Sequence, residues 1–322
     1  MPLTDEKLAL KRQQLIDRTS LALEVDSNTA IELLSMGRTQ SVRINTILGD
    51  RDETLDQLRQ EGILVTPIEW VDEGMSIVEG QKILRDSELN ASGKVYIQNA
   101  ASWLPVLALD PQPGETILDM CAAPGGKTSH IAQRADNKAS ITANDNSRPR
   151  LHKLQSNLSR LGVQNVTYTL HDATRLARQF EPESFDKILL DAPCSGEGMM
   201  TLESKKDFES WSVAHIKRLQ QLQKKLLVQA WQLLRPGGVL VYSTCTMAPE
   251  ENEAVVDYLL RHNEDVIVED TAWLAGKLIN TTKPVQEWNG KKYDPRIKSA
   301  LRLIPSTQVE AFFVIVLRKG EL

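Results

Sequence analysis

Two cysteines stand in polar turns, each directly after a predicted β-strand. Cys194 lies in DAPCSGEG (191–198) and Cys245 lies in YSTCT (242–246). A cysteine that serves only as a small buried hydrophobe usually lies in an apolar stripe, whereas these turns are rich in Gly, Ser and Thr. A thiolate is a strong nucleophile. The pattern therefore predicts two candidate catalytic thiols that face one pocket at neighbouring strand ends.

A glycine-rich turn follows another apolar run, in ILDMCAAPGGKT (117–128). Glycines let the backbone approach a ligand, and the helix that follows presents unpaired N–H groups. The motif is neither the phosphate loop GxxxxGK[ST] nor GxGxxG, so an ordinary turn between a strand and a helix is the alternative. We interpret the turn as part of a nucleotide-type site. Its candidate cofactor-binding residues are Cys121, Ala122, Ala123, Pro124, Gly125, Gly126 and Lys127.

Acidic residues follow three further predicted strands. Asp145 comes about 20 residues after the glycine turn, where a carboxylate is suited to accept hydrogen bonds from ribose hydroxyls. Asp172 follows the next strand, where it could bind an adenine amino group, and Asp191 follows the fourth. Ligands of open α/β sheets bind beyond the carboxyl ends of the strands. Any one of these aspartates alone is better explained as a helix cap or a solvated loop residue, but their occurrence in order favours a nucleoside-containing cofactor.

A thiol beside a nucleoside cofactor suits methyl transfer to carbon 5 of a pyrimidine. Carbon 5 is a poor nucleophile until a thiolate adds to carbon 6. It can then take a methyl group from a sulfonium, and the thiolate leaves once the carbon 5 proton is removed. Asp191 would ease the addition by protonating ring N3, if its pocket keeps it protonated. These residues alone identify neither the cofactor nor the cysteine that attacks.

Strands and helices alternate through much of the chain, which is typical of a parallel sheet covered on both faces. We predict a doubly wound α/β domain over 91–322, with a domain boundary at about residue 91. The predicted strands are Ile117–Met120, Ser140–Asn144, Val166–Leu170, Phe185–Leu190, Val239–Tyr242 and Phe312–Leu317. The predicted helices are Lys127–Arg134, Ser147–Leu161, Val213–Leu234 and Glu250–Arg261.

Residues 1–90 are predicted to form a smaller helical and α+β region. Two helices come first, separated near Asp26, where capping residues cluster. A strand in SVRINTI (41–47), a helix at 53–61 and a strand at 63–68 give a βαβ-like unit, whereas 70–94 is expected to be irregular. A small α+β unit with a basic residue on a strand is a common RNA-binding shape, similar to an RRM. It is equally typical of a plain packing domain.

The bulk composition indicates a globular protein with free thiols. The chain has 322 residues, of which 41% are hydrophobic and 25% charged, and its formal net charge is −5. Its three cysteines fit neither a disulfide framework nor a CxxC metal site, and no run is apolar enough to span a membrane or act as a signal peptide. We therefore expect a cytoplasmic, monomeric protein without a metal. The net charge argues only weakly against nucleic-acid binding, because a local basic face suffices.

Five motifs together carry a resemblance to a known family. The chain closely resembles the Sun/Fmu family of S-adenosylmethionine-dependent RNA cytosine-5 methyltransferases, which includes the bacterial rRNA enzymes RsmB and RsmF. The resemblance extends from about residue 40 to Leu317. It implies a Rossmann-like class I methyltransferase domain, S-adenosyl-L-methionine as the cofactor and RNA as the partner. The motifs are CAAPGGK (121–127), DAPCSGEG (191–198), STCT (243–246), RINT (43–46) and YIQNAAS (96–102).

The resemblance also implies roles that the residues alone left open. It implies that Cys245 adds to carbon 6 and that Cys194 assists release of the methylated product. It further implies that residues 121–127, Asp145, Asp172 and Asp191 line the cofactor site, with Asp191 shared with the target cytosine. We expect ribosomal RNA as the substrate, because the catalytic domain is of a bacterial type. The alternative is tRNA, because the chain is compact and we expect it to lack the C-terminal RNA-binding domain that larger family members carry.

Basic clusters are candidates for phosphate contacts. The group at 291–302 is the better candidate, whereas the helical cluster at 217–225 is expected to be a solvated face. After DAPCSGEG, family members often carry a basic stretch with a proline, but this chain reads MMTLESKKDF, so a role for Lys205 and Lys206 stays open. A target cytosine must leave its stack to reach Cys245, which favours a loop, a bulge or a remodelled helix. The basic residues of the 291–302 group are Lys291, Lys292, Arg296, Lys298 and Arg302.

Three other functions fit parts of the pattern. A catalytically silent RNA-binding or assembly factor would keep the fold, but intact Cys194, Cys245 and Asp191 argue against it. A small-molecule or protein methyltransferase would have no use for two thiols at these positions. A DNA cytosine methyltransferase draws its nucleophile from a Pro-Cys at the fourth strand, which Pro193 and Cys194 also provide. The second cysteine and the N-terminal resemblance exclude that alternative.

Overall fold

The structure is a computed structural model that describes residues 4–278 and 280–321. The helices of these residues are α1 (Asp5–Leu23), α2 (Ser27–Ser35), α3 (Arg51–Gln60), α4 (Gln81–Asp86), α5 (Glu88–Ala91), α6 (Leu104–Leu109), α7 (Gly126–Arg134), α8 (Arg148–Arg160), α9 (Asp207–Ser210), α10 (Val213–Leu233), α11 (Glu253–His262) and α12 (Ala272–Ala275). Short 3₁₀ turns lie at Ala100–Trp103, Ala173–Arg178, Glu197–Met199 and Pro295–Ser299.

The strands form two main sheets and a short hairpin. Those of the first sheet are β1 (Ser41–Ile44), β2 (Leu64–Ile68), β3 (Val71–Glu79) and β4 (Val95–Ile97). Those of the second are β5 (Thr116–Asp119), β6 (Ser140–Asn144), β7 (Val166–Thr169), β8 (Phe185–Asp191), β9 (Leu234–Thr244), β10 (Val266–Val268), β11 (Thr281–Thr282), β14 (Leu301–Leu303) and β15 (Phe312–Lys319). The hairpin consists of β12 (Glu287–Trp288) and β13 (Lys291–Lys292).

The second sheet has the topology of a Rossmann-like fold. Its order is β7-β6-β5-β8-β9-β15-β14-β11, with β10 pairing the far end of β15. Strands β5 to β9 pair in parallel, whereas β15 runs antiparallel to β9. The strand order reverses between β5 and β8, which is the point where such sheets bind their ligands. The predicted α/β sheet is therefore confirmed.

Both faces of this sheet are covered by apolar side chains from helices. Alternate residues of a strand point to opposite faces, so Ile188 and Leu190 of β8 pack with α10 and α11, while Leu189 packs with α6 and α7. Complete burial of one such aliphatic side chain stabilises the fold by roughly 1.5–3 kcal/mol. The two covered faces fix the carboxyl ends of β5, β8 and β9 relative to one another.

The first sheet differs from the sequence-based prediction in its centre. Strand β3 lies between β1 and β2 and pairs antiparallel with both, although 70–94 was expected to be irregular. The misleading residue is Gly74, which interrupts the strand pattern. A Cβ there would come within 2.5 Å of the Trp103 ring, so the glycine serves a close approach. Strand β4 pairs with β1, so this sheet continues past the boundary expected at about residue 91.

A buried polar network joins the first sheet to α7. Arg43 of β1 is fully buried and donates hydrogen bonds to Gln133 and Ser129. Glu73 of β3 lies 2.6 Å from Nε2 of His130. The basic residue on the predicted strand is therefore an internal contact, and it cannot bind RNA phosphate as the pattern suggested.

The two N-terminal helices pack against residues that follow strands β8 and β9 of the second sheet. Leu15 of α1 and Leu34 of α2 share an apolar cluster with Trp211 and Met247. Arg18 of α1 also pairs with a carboxylate that follows β9, Glu250, at 2.8 Å. These helices therefore buttress the segment directly after the second candidate thiol. None of the helices in the described residues is long and apolar enough to cross a bilayer.

Candidate active site

The glycine-rich turn leaves β5 at Asp119 and enters α7 at Gly126. Gly125 has φ +104°, a left-handed conformation, and a Cβ there would lie 2.8 Å from a methyl carbon of Leu154. A Cβ at Gly126 would come to 2.9 Å from Nε2 of Gln98. The two glycines therefore let the turn pass between α8 and β4, as a ligand-binding loop requires.

Two neighbouring cavities contain the predicted cofactor residues. One, of about 190 Å³, is lined by the turn, Asp119 and Asp191, and also by Tyr96 and Gln98. The other, of about 50 Å³, is lined by Asp145 and Asp172. Cys121 borders both cavities, so it lies between them. The structure thus brings the predicted residues of the glycine turn together with Asp145, Asp172 and Asp191 around one continuous edge of the sheet.

Asp119 provides a test of whether this edge suits a polar cofactor. Its Oδ2 accepts a hydrogen bond from Thr128 at 2.7 Å, while its buried Oδ1 has no partner among the described residues. Burial raises the pKa of Asp119 to about 7, although the Thr128 hydrogen bond lowers it. A buried polar atom without a partner is costly. The residues therefore fit a ligand with hydrogen-bonding groups.

Asp145 is held by the residues that follow it. It is 3% exposed, its Oδ1 accepts from the backbone N–H of Ser147 at 2.9 Å, and its Oδ2 lies 3.3 Å from Nη1 of Arg150. Nη2 of Arg150 also donates to the carbonyl of Ala123 at 2.7 Å. Arg150 thus ties the acidic residue to the glycine turn. Sequence reasoning did not single out Arg150 and missed this contact.

Asp172 acts as a helix cap, one of the two roles that its position in the sequence suggested. Its side chain accepts from the backbone N–H and the hydroxyl of Thr174, at 2.9 and 2.8 Å, and so caps the 3₁₀ turn at Ala173–Arg178. These hydrogen bonds lower the pKa of Asp172, beginning with that from the Thr174 backbone. A cap residue at a cavity wall keeps a fixed orientation. Asp172 therefore presents an ionised carboxylate to the smaller cavity.

Lys127 and Asp191 form an ion pair at the centre of the edge. Nζ of Lys127 lies 2.7 Å from Oδ2 of Asp191, and Oδ1 accepts from the Ser243 hydroxyl at 2.8 Å. Burial lowers the pKa of Lys127, but the charge and hydrogen bond of Asp191, together with the charges of Cys245 and Asp119, outweigh burial and raise the pKa. An ammonium at this distance favours the carboxylate. The expectation that the pocket keeps Asp191 protonated is therefore not supported by this geometry.

Cys194 and Cys245 meet where β8 and β9 end. Parallel pairing sets Asp191 opposite Ser243, and the two sulfur atoms beyond these residues lie 3.2 Å apart. The hydrogen bond with Cys245 and burial together raise the pKa of Cys194 well above its ordinary value. Cys194 therefore keeps its proton and can donate it to the neighbouring sulfur. Burial likewise raises the pKa of Cys121, so that residue remains a thiol.

A buried glutamate holds the two cysteine turns together. Glu251 accepts from the backbone N–H of Ser195 at 2.9 Å and from Nε2 of Gln223 at 2.8 Å. The Ser195 hydroxyl lies 2.8 Å from that of Thr246, in the second turn. Burial raises the pKa of Glu251 to about 7, against the hydrogen bond from Ser195. Sequence reasoning missed Glu251, because its partners lie far away in the chain.

Gly198 marks the closest approach of these turns to β15. Its N–H donates to the carbonyl of Cys245 at 3.0 Å. A Cβ at Gly198 would lie 2.9 Å from that carbonyl oxygen and would overlap the carbonyl oxygen of Ala311. The glycine therefore allows DAPCSGEG to pack directly on the backbone of the candidate nucleophile. Ala311 itself is buried.

Several basic residues that were considered for phosphate contacts form ion pairs with acidic residues of the protein itself. Arg302 is 2% exposed and pairs with Glu253 at 2.9 Å, so it is not available to a phosphate and this part of the prediction is wrong. Lys291 is about half exposed and pairs with the buried Asp257 at 2.7 Å. Lys205 lies 3.3 Å from Asp5. Within the described residues, no group of three or more His, Cys, Asp or Glu side chains is placed to hold a metal ion.

Comparisons with known proteins agree with the motifs. Residues 106–318, more than half of the chain, match the family model described as 16S rRNA methyltransferase RsmB/F. The tRNA (cytosine(49)-C(5))-methyltransferase of Pyrococcus abyssi is 39% identical over 285 residues, which are 87% of this chain and 88% of that protein. Ribosomal RNA small subunit methyltransferase F of Klebsiella pneumoniae is 42% identical over 227 residues, which are 69% of this chain and 47% of that protein. The chain thus spans about half the length of that bacterial relative.

A solved structure extends the likeness over nearly the whole chain. The methyltransferase homolog protein from Pyrococcus horikoshii superposes with a TM-score of 0.78 at 33% identity, covering 95% of this chain and 99% of that one. The resemblance drawn from the five motifs is confirmed by these matches. The chain therefore belongs to the RsmB/F family of RNA cytosine-C5 methyltransferases, which use S-adenosyl-L-methionine as the methyl donor.

Proposed function

We propose that this protein methylates carbon 5 of a cytosine in RNA through a covalent adduct with Cys245. The observation that carries the proposal is the 3.2 Å contact between Cys194 and Cys245, beside the ion pair of Lys127 with Asp191. One thiol suffices for addition to carbon 6, and a second is useful only when the adduct must be resolved. The pair thus supports a two-thiol reaction.

Cys245 would act first, as the nucleophile. Its sulfur adds to carbon 6, and the electron pair of the ring double bond moves toward carbon 5. Cys245 is among the groups whose charge raises the pKa of Lys127, so the Lys127 ammonium lies near that sulfur. S-adenosyl-L-methionine supplies the methyl group from its sulfonium. Cys194, which keeps its proton, assists release by donating to the departing sulfur.

Asp191 would orient the base from the opposite edge. Its carboxylate, paired with Lys127 at 2.7 Å, would accept a hydrogen bond from the exocyclic amino group of cytosine. This role replaces the protonation of ring N3 that the sequence suggested. Residues 121–127, Asp145 and Asp172 would hold the cofactor: Asp145 by the ribose hydroxyls, Asp172 by the adenine amino group, and the turn by its backbone N–H groups.

Ribosomal RNA is the first candidate substrate, as the sequence favoured and as the family description suggests. A second candidate, tRNA, is supported by one observation. The relative named as a tRNA (cytosine(49)-C(5))-methyltransferase matches this chain along 88% of its own length, whereas the bacterial rRNA enzyme matches along 47%. The first sheet would contact either RNA through its exposed side chains, since Arg43 is buried.

Bisulfite sequencing of total RNA from cells with and without the gene tests the proposal. We expect one cytosine to lose its mark, and purified protein with S-adenosyl-L-methionine should restore the mark on that RNA in vitro. The position of the cytosine decides between rRNA and tRNA. Unchanged cytosines in both RNA classes, together with a purified protein that methylates neither, would favour the silent RNA-binding factor instead.

A further inference from the structure

A buried carboxylate that the mechanism above does not use lies beside the candidate nucleophile. Glu310 stands two residues before β15, which runs antiparallel to β9 with Phe313 opposite Thr244. Cys245 directly follows β9, so Glu310 lies just beyond the same strand end. The intervening Ala311 contacts the turn that also holds the carbonyl of Cys245, at Gly198. The segment of Glu310 is therefore packed on the turn of the nucleophile.

Glu310 faces the charges of the active site. It is 4% exposed, and its electrostatic neighbours are Lys127, Arg38 and Asp191. Nζ of Lys127 lies 5.8 Å from the centroid of the Phe312 ring, which places the ammonium above the start of β15. Within residues 4–278 and 280–321, no donor hydrogen-bonds to the Glu310 carboxylate. Its oxygens are therefore free to accept a proton from a group that enters the pocket.

The other buried acids of this edge are already engaged. Asp119 accepts from Thr128 beneath the cofactor turn. Glu251 accepts from Ser195 and Gln223, and Asp191 accepts from Lys127 and Ser243. Each of these carboxylates therefore already has at least one donor bound to it. Glu310 differs from them because it is buried just beyond the strand end of Cys245 and none of the described residues donates to either of its oxygens.

We propose that Glu310 is a catalytic residue, the base that removes the carbon 5 proton of the methylated cytosine; this inference rests on the proposed function. After methyl transfer, carbon 5 carries both a methyl group and a hydrogen, and carbon 6 is bonded to Cys245. The Glu310 carboxylate takes the proton, and the C5–H electron pair forms the C5=C6 double bond. The C6–S electron pair returns to Cys245, where the Cys194 thiol donates a hydrogen bond. Glu310 then gives its proton to water.

The acidity of Glu310 suits this role. Burial raises its pKa to about 7, although the cations Lys127 and Arg38 lower it and Asp191 raises it further. A base works best when the pKa of its conjugate acid lies near the working pH, because it is then both ionised and strongly proton-attracting. Proton removal in the wild type should therefore become faster as the pH rises through about 7.

Two isotopes separate the steps in an experiment with Glu310→Gln. Carbon-14 in the methyl group of S-adenosyl-L-methionine reports methyl transfer to RNA, and tritium at cytosine C5 reports proton removal as it escapes to water. In a single turnover, we expect the variant to transfer methyl within a factor of ~3 of the wild type and to release tritium on the order of 10²-fold more slowly. The methylated RNA–protein adduct should accumulate on a denaturing gel.

Two further variants serve as controls. Glu310→Asp keeps a carboxylate and should recover part of the tritium release. Asp207→Asn removes another acid near Arg38, outside the pocket, and should leave the ratio of tritium release to methyl transfer unchanged. The pH dependence of tritium release should be retained in Asp207→Asn and lost in Glu310→Gln.

Tritium release by the Glu310→Gln variant at the wild-type rate would overturn the proposal. So would loss of methyl transfer itself in a Glu310→Gln protein that melts at the wild-type temperature, because Glu310 would then act before the proton is removed. A wild-type protein that methylates no RNA would remove the proposed function and this inference with it. An active wild type with an unaffected variant would remove the inference alone.

Discussion

The sulfur atoms of Cys194 and Cys245 lie 3.2 Å apart, although the two residues are 51 positions apart in the chain. Parallel pairing of β8 with β9 brings them together, because both turns leave the sheet at the same edge. At this distance one sulfur can hold the proton that the other gives up. The two thiols therefore need not be equivalent, and their alanine variants should fail at different steps.

Cys245→Ala should abolish both methyl transfer and covalent capture of RNA, because the nucleophile is missing. Cys194→Ala should still form the adduct but release it slowly, because the departing sulfur lacks its donor. Incubation of each variant with RNA and S-adenosyl-L-methionine, followed by a denaturing gel, separates free protein from adduct. An adduct with Cys245→Ala and none with Cys194→Ala would reverse the assignment of roles.

Gly198→Ala should slow the reaction without removing any reactive group. Its new Cβ would overlap the carbonyl oxygen of Ala311 and press on that of Cys245, which shifts the nucleophile. A displacement of about 1 Å costs on the order of 10²-fold in rate, so we expect kcat to fall by a factor approaching that value. Gly37→Ala is the matched control, because a Cβ there meets no atom within 4 Å. Equal kcat values in the two variants would contradict the prediction.

Arg43→Met should destabilise the fold because it breaks the buried polar network that joins the first sheet to α7. The change leaves Gln133 and Ser129 without the guanidinium donor, and an unsatisfied buried group costs about 2 kcal/mol. Arg59→Met is the control, because that side chain is 70% exposed in its pair with Asp56, and such pairs contribute less than about 1 kcal/mol. Urea denaturation measures both variants. Similar losses in the two would show that Arg43 is not a structural residue.

His130 should make stability depend on pH. Burial lowers the pKa of His130 to about 4, against the hydrogen bond that its ring donates to Glu73, which raises the pKa. The unfolded chain therefore binds a proton between about pH 6.5 and 4 that the folded protein excludes, so stability falls as the pH drops through this window. The Glu73 carboxylate adds to this loss of stability as the pH falls below its ordinary pKa of 4.5. Burial raises the pKa of Glu73, but the hydrogen bond and charge of His130 outweigh burial and lower the pKa to about 2.

The measurement compares the free energy of unfolding at pH 7 and pH 5. We expect this site to cost the wild type about 2 kcal/mol at the lower pH, and His130→Gln to lack that share of the loss. If wild type and His130→Gln lose the same stability between the two pH values, His130 is not the source of the pH dependence.

Sequence reasoning located the thiols and the cofactor turn because their signals are local. The apolar runs before Asp119, Asp191 and Cys245 identify strand ends, and a parallel sheet gathers such ends at one edge. Strand β3 was missed because Gly74 resembles a strand breaker, while its cause, the Trp103 ring, lies far away in the chain. The residues around Gly74 in the sequence therefore do not indicate that the Trp103 ring packs against it.

The charged residues were harder to interpret for the same reason. Arg43 and Arg302 appear in the sequence as surface bases, but each has buried partners that only the fold supplies. Glu251 and Glu310 carry no motif of their own, and their importance follows from burial beside the cysteine turns. The role of a charged residue depends on its partners. Partners more than 40 positions away in the chain are determined by the topology of the fold, so they cannot be identified from the neighbouring sequence.

The contacts between the first sheet and α7 limit how this enzyme can be re-engineered. Tyr96 and Gln98 form a wall of the cavity beside the glycine turn, while Arg43 is anchored to Ser129 and Gln133. A chimera that exchanges the N-terminal region to redirect RNA specificity would also exchange part of the cofactor pocket. Grafts should therefore carry residues 41–98 together with the partner's version of α7.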